Sequence, residues 1–158
     1  MNEKIACFTG HGNILNVELP QLMKRVEETI SGLIGQGVIN FLSGGAMGFD
    51  TLAAFAVLTA KKKNPAVKLM MALPCLNQDE RWKAADRQTY RHLLDSADEV
   101  VYVSEQPYFD GCMEQRNMYL VQQSGVCIAY MKRGRSGTSQ TVRLAREHEL
   151  TVINLAEN

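Results

Sequence analysis

Short apolar runs that stop on glycine or proline alternate with longer segments of helical period, and this alternation constrains the fold more tightly than any other feature of the sequence. Lys4–Thr9 runs into Gly10, Val38–Ser43 into Gly44 and Gly45, and Val67–Leu73 into Pro74. Between the first two, Leu22, Val26, Ile30, Leu33 and Ile34 recur at three- and four-residue steps from near Pro20 to Gly35-Gln36-Gly37, the stripe of a helix buried on one side. Phe49, Ala53, Ala56, Val57 and Ala60 make a second, small-residue stripe that ends in the polar turn Lys61–Pro65. The pattern then predicts a helix over about Gln78–Leu94, a strand over Asp98–Val103, a loop from Ser104 to Cys112 and a helix over Met113–Gln123. A strand over Gly125–Met131, a helix over Thr138–His148 and a strand over Leu150–Leu155 complete it. Strands that are apolar throughout are covered on both faces. The expected architecture is therefore one three-layer α/β domain over residues 1–158, with a mainly parallel sheet of about six strands.

Composition narrows the function classes. Seventeen basic residues balance seventeen acidic ones, which removes the usual electrostatic argument for a dedicated nucleic-acid or anionic-membrane protein. No apolar stretch approaches the roughly 20 residues of a membrane span, and Met1-Asn2-Glu3-Lys4 leads straight into a strand-like run without a signal-peptide pattern. The expectation is a soluble, cytoplasmic protein, with no membrane contact and with nucleic acid not an expected partner. Cys7, Cys75, Cys112 and Cys127 lie far apart, as do His11, His92 and His148, so no metal site is expected and the thiols are expected reduced.

Right-handed crossovers place the strand-to-helix loops along the carboxyl edge of such a sheet, where ligands bind. In Ser43-Gly44-Gly45-Ala46-Met47-Gly48-Phe49-Asp50 the glycines suit the approach of an anion to backbone N–H groups at a helix start. The same residues also read as a tight turn supported by Asp50, whose carboxylate repels phosphate and suits a sugar hydroxyl. Lys132-Arg133-Gly134-Arg135-Ser136-Gly137-Thr138 combines backbone donors, hydroxyls and cations that fit a phosphate, or a basic turn in which Ser136 or Thr138 caps a helix. Thr9-Gly10-His11-Gly12 offers a hydroxyl and an imidazole; with no orienting carboxylate in view, His11 reads as a contact rather than a catalyst. Arg116 can fork onto a phosphate or pair internally, Tyr108 and Phe109 can stack on a base or fill the core, and Cys112 stands at a helix start. Trp82 and Tyr90 read as core or pocket wall, and Lys61-Lys62-Lys63 as a solvated helix end.

Taken together, Thr9-Gly10-His11, the Ser43–Asp50 loop, Leu73-Pro74-Cys75, Cys112-Met113 with Arg116-Asn117, and Gly137-Thr138 resemble the YpsA-type branch of the SLOG superfamily, which groups the Smf/DprA fold with the Lonely Guy phosphoribohydrolases. The resemblance runs from Thr9 to about Leu155. It implies a Rossmann-like domain that binds a nucleotide or nucleotide derivative at the sheet edge. Met113-Glu114-Gln115-Arg116 is similar to the Met-x-x-Arg helix of the Lonely Guy enzymes and puts Arg116 at the family arginine. Two departures stand out: Arg135-Ser136 replace a glycine pair, and Thr141 stands where those enzymes carry a catalytic glutamate, with Asp50 or Glu114 as the carboxylates able to replace it. Gly12 replaces an arginine common in YpsA-like chains, with Lys132, Arg133 or Arg135 able to compensate.

The first reading is thus a nucleotide-binding protein, such as a sensor, that needs no further cofactor. In it Gly44, Gly45, Gly48, Ser136, Gly137 and Thr138 hold phosphate with Ser43, Thr9 and Gly10 beside them, Arg116 adds charge, and Asp50 or His11 meets the sugar or base. The alternative is a phosphoribohydrolase-like enzyme that cleaves a nucleoside monophosphate at its N-glycosidic bond, with Arg116 and Asp50 catalytic. A second alternative is a DprA-like DNA-associated module. A homodimer is expected from the resemblance.

Overall fold

The computed structural model describes residues 3–132 and 137–156. In chain order it contains β1 (Ile5–Gly10), a 3₁₀ turn (Asn16–Glu18), α1 (Leu19–Gly35), β2 (Asn40–Ser43), α2 (Phe49–Lys63), β3 (Lys68–Leu73) and α3 (Ala84–Ser96). There follow β4 (Glu99–Tyr102), α4 (Cys112–Gln123), β5 (Val126–Tyr130), α5 (Gly137–Glu147) and β6 (Thr151–Asn154). The six strands form one sheet in the order β4-β3-β2-β1-β5-β6, and each neighbouring pair is parallel. The expected three-layer α/β architecture is present, and the sheet is parallel throughout rather than mainly so.

Side chains alternate across a strand, so a sheet covered on both sides carries two different cores. On one face Phe8, Phe41, Leu69, Met71, Leu73 and Ile128 meet α1, α2 and α3. The opposite face is built from small residues, with Cys7, Leu42, Ala72 and Cys127 beneath α4 and α5. Fully burying each large side chain contributes roughly 1.5–3 kcal/mol, so the α1–α3 face holds most of the hydrophobic stabilisation. Small residues let α4 lie close to the sheet, which brings the first turns of α4 down to the ends of β1 and β2.

One element starts later than its periodicity indicates. The helix expected over Gln78–Leu94 begins at Ala84, because Asn77–Lys83 forms turns closed by Glu80 N–H to Asn77 O (3.1 Å) and Trp82 N–H to Asp79 O (3.1 Å). Asp79 is buried and accepts from Arg87 and Arg91 of α3, so it faces inward as the anchor of the turn. Among the described residues no helix is long and apolar enough to cross a membrane.

The switch in strand order falls between β1 and β5, whose connections leave in opposite directions along the sheet. A crevice opens at the carboxyl ends of strands at such a point.

Candidate functional site

A cleft of about 310 Å³ occupies that crevice. From β1 and its loop come Thr9, Gly10, His11 and Gly12; from the β2 loop and α2 come Ala46 and Asp50. Met113, Arg116, Asn117 and Leu120 of α4 form one wall, and Thr138 and Thr141 of α5 another. Residues far apart in the sequence, Thr9, Asp50, Arg116 and Thr138, are therefore brought together as neighbours of one cavity.

Arg116 is the most constrained of them. Its Nη1 donates to Gly44 O at 2.5 Å and its Nε to Asn117 Oδ1 at 3.0 Å, and only 6% of its surface is exposed. Gly44 is what admits it: a Cβ there would lie 2.8 Å from Arg116 Cζ. Asp50, likewise buried, accepts from Ala46 N–H at 3.3 Å. Burial pushes its carboxyl up to about 6, against the downward pull of the nearby Arg116 charge. A cation and a carboxyl of raised pKa thus share one poorly solvated cleft.

Three amides of the glycine loop are bonded within the protein. Gly45 N–H donates to Ser43 Oγ (3.2 Å), Ala46 N–H to Asp50 and Phe49 N–H to His11 O (3.0 Å). Ser43, Gly44, Gly45 and Gly48 are not among the lining residues. Close packing explains these glycines instead: Gly48 has φ +83° and a Cβ on it would fall 2.5 Å from His11 O. Asp50 and Ser43 bond to amides of the turn that precedes α2, which is the turn-support arrangement for this loop.

His11 spans the crevice. Its Nε2 accepts from Lys132 N–H at 2.8 Å, so the ring carries its proton on Nδ1 and ties the β1 loop to the end of β5. Lys132 pairs with Glu18 at 2.5 Å, and that ammonium together with the Tyr130 hydroxyl draws the Glu18 carboxyl down to about 2. Thr138 and Thr141 are buried at the first turns of α5. Gly137 begins that helix, while Arg133, Gly134, Arg135 and Ser136 lie outside the described residues.

Other candidates sit elsewhere. Glu114 is exposed and does not line the cleft, so Asp50 is the carboxylate there. Cys112 is fully buried beside Cys75, whose thiol burial pushes up, which makes this pair part of the packing. Tyr108 is 57% exposed outside the cleft. Lys61 ends α2 in an ion pair with Asp98. Asn117, which orients the Arg116 guanidinium, carried no separate role in the sequence reading; its place beside Arg116 in the chain was the available signal. Among the described residues no three His, Cys, Asp or Glu side chains cluster as metal ligands.

The sheet order and the cleft at its switch point define a Rossmann-like α/β protein. A family model described as YspA SLOG family (YpsA) matches residues 15–151, and the chain belongs to that family. It is similar to the SPbeta prophage-derived protein YoqJ of Bacillus subtilis, at 29% identity over 80% of this chain and 79% of YoqJ. A UPF0398 protein of Halalkalibacterium halodurans is 32% identical over 81% of this chain and 69% of its own length. Among solved structures, the fold is similar to DNA processing protein A of Helicobacter pylori, a protein that binds single-stranded DNA, over 94% of this chain with TM-score 0.64 at 18% identity. DprA of Streptococcus pneumoniae gives TM-score 0.62 at 22% identity. This chain spans 63% and 50% of those two chains, which share the fold with it.

Proposed function

We propose that the protein binds a nucleotide or nucleotide derivative, with the sugar phosphate in the Arg116 cleft. The observation that carries this reading is the convergence of buried Arg116 and Asp50 with the hydroxyls of Thr9 and Thr138 at the strand switch. The phosphate lies towards Arg116 and the N-terminal end of α5, where the helix dipole favours an anion. Asp50 meets the sugar hydroxyls, since a carboxylate accepts hydrogen bonds from them and repels phosphate. This favours α5 for the phosphate over the β2 glycine loop, where the Gly45 and Ala46 N–H groups are already bonded within the loop. Isothermal titration calorimetry with AMP and ribose 5-phosphate tests it. Both are expected to bind, and Arg116→Ala is expected to weaken each at least about tenfold, the scale of a charge-assisted hydrogen bond. Failure of both ligands to bind overturns the reading.

A second reading is favoured by one observation: the carboxyl of Asp50, pushed up to about 6, is suited to acid–base work near neutral pH. In that case the Asp50 carboxylate takes a proton from the water that adds at the anomeric carbon, the bond to the base breaks, and the departing ring nitrogen is protonated from solvent, so that sugar phosphate and free base are released. Chromatography of AMP incubated with the protein separates the two, since free adenine that disappears in Asp50→Asn favours the hydrolase. A DprA-like role predicts instead an affinity for single-stranded DNA that falls steeply with salt. The homodimer proposed with this family resemblance is checked by sedimentation equilibrium.

A further inference from the structure

Two of the three Arg116 guanidinium nitrogens are bonded to oxygen, Nη1 to Gly44 O and Nε to Asn117 Oδ1. Among the described residues the contact of Nη2 is Met113 Sδ at 3.9 Å, a weak acceptor, and Met113 lines the cleft. Nη2 is therefore the donor that an anion in the cleft meets. The guanidinium is planar, so the direction of Nη2 is set by how firmly the other two nitrogens are held.

Asn117 follows Arg116 on the same helix, but Gly44 lies in a loop with little stiffness of its own. The peptide that carries Gly44 O and Gly45 N–H joins two glycines, the residue type that restrains a backbone least. Ser43 Oγ accepts from the N–H side of that peptide at 3.2 Å. On the carbonyl side Gln78 stands as a second donor beside Arg116, with Nε2 3.4 Å from Gly44 O. The same Nε2 lies 3.2 Å from the hydroxyl of Tyr90, which is buried on α3. Gln78 thus ties the glycine peptide to a packed helix. Its Oε1 is buried with no partner among the described residues, an arrangement that costs stability and that an apolar side chain of the same length avoids. What the carboxamide contributes here is its pair of N–H donors.

We propose that Gln78 is a positioning residue of the Arg116 cleft: by fixing the Gly44 carbonyl against Tyr90, it aims Arg116 Nη2 at an anionic group of the ligand. The proposal rests on the nucleotide reading above for the identity of that anion, and on these contacts for the positioning itself.

Gln78→Met tests it, since methionine keeps the length and removes both the donors and the unpaired oxygen. The Arg116 Nε–H resonance, assigned by its loss in Arg116→Lys, reports the guanidinium directly in the ligand-free protein. Its hydrogen exchange is expected to quicken about three- to tenfold in Gln78→Met, and the affinity for ribose 5-phosphate to fall by a similar factor, the scale of one neutral hydrogen bond. Unchanged Nε–H exchange overturns the positioning role. Faster exchange with equal affinity in parent and variant overturns its part in binding and leaves the nucleotide reading standing. Faster exchange with no binding of ribose 5-phosphate or AMP to either protein supports the positioning of Arg116 and overturns the nucleotide reading.

Discussion

Asp50 holds its proton more tightly in the native protein than in the unfolded chain, since burial pushes the carboxyl from 3.8 up to about 6. The sign follows: its contribution to stability is fully present below about pH 4 and is lost as pH rises through about 6. A shift of that size corresponds to on the order of 2–3 kcal/mol. Asp50→Asn keeps an oxygen to accept from Ala46 N–H and removes the titration. Urea denaturation is expected to show the variant more stable than the parent at pH 7.5, with the gain vanishing towards pH 4; equal gains at both values would remove Asp50 as the source. The residue types of this site were legible in the sequence, since Thr9, Asp50, Arg116 and Thr138 stand at loop or helix starts. The use of the glycines was not. Gly44 lies 72 residues from the Arg116 side chain it admits, and no local pattern records that approach.

At the scale of the element, the turn before α3 is tied to that helix by a single buried carboxylate. Asp79 accepts from Arg91 at 3.2 and 3.4 Å and from Arg87 at 3.4 Å. Both arginines are well exposed, at 46% and 60% of their side chains, so solvent weakens the pairing. Asp79→Ala is accordingly expected to cost about 1–2 kcal/mol. Hydrogen exchange should quicken first in residues 77–83, ahead of α3; a uniform increase across the sheet would instead mean that Asp79 supports the global fold. These contacts also explain why α3 starts later than its periodicity indicates. Asp79 has its partners two and three helical turns downstream, and their pull turns Gln78–Lys83 into turns although its composition permits helix. Strands were easier, because an apolar run that ends on glycine or proline is a local signal.

Over the whole molecule, a ligand that binds only the native state stabilises all of it. At 100 times its Kd the gain is about 2.7 kcal/mol, which for a domain of this size raises Tm by about 5–10 °C. AMP is expected to produce such a shift in differential scanning calorimetry, and Arg116→Ala to reduce it; an equal shift in the variant would move the ligand away from this cleft. What the sequence determined by itself was the order of elements, the α/β class and the carboxyl edge as the place of the candidate cleft, because periodicity and chain-breaking residues act over a few positions. Only the tertiary structure decided how the Gly45, Ala46 and Phe49 amides are bonded and which carboxylate joins Arg116. Hydrogen-bond satisfaction and close packing are settled between segments: Phe49 N–H meets His11 O, Arg116 fills the space above Gly44, and Asp50 is raised in pKa by neighbours that the chain order keeps apart.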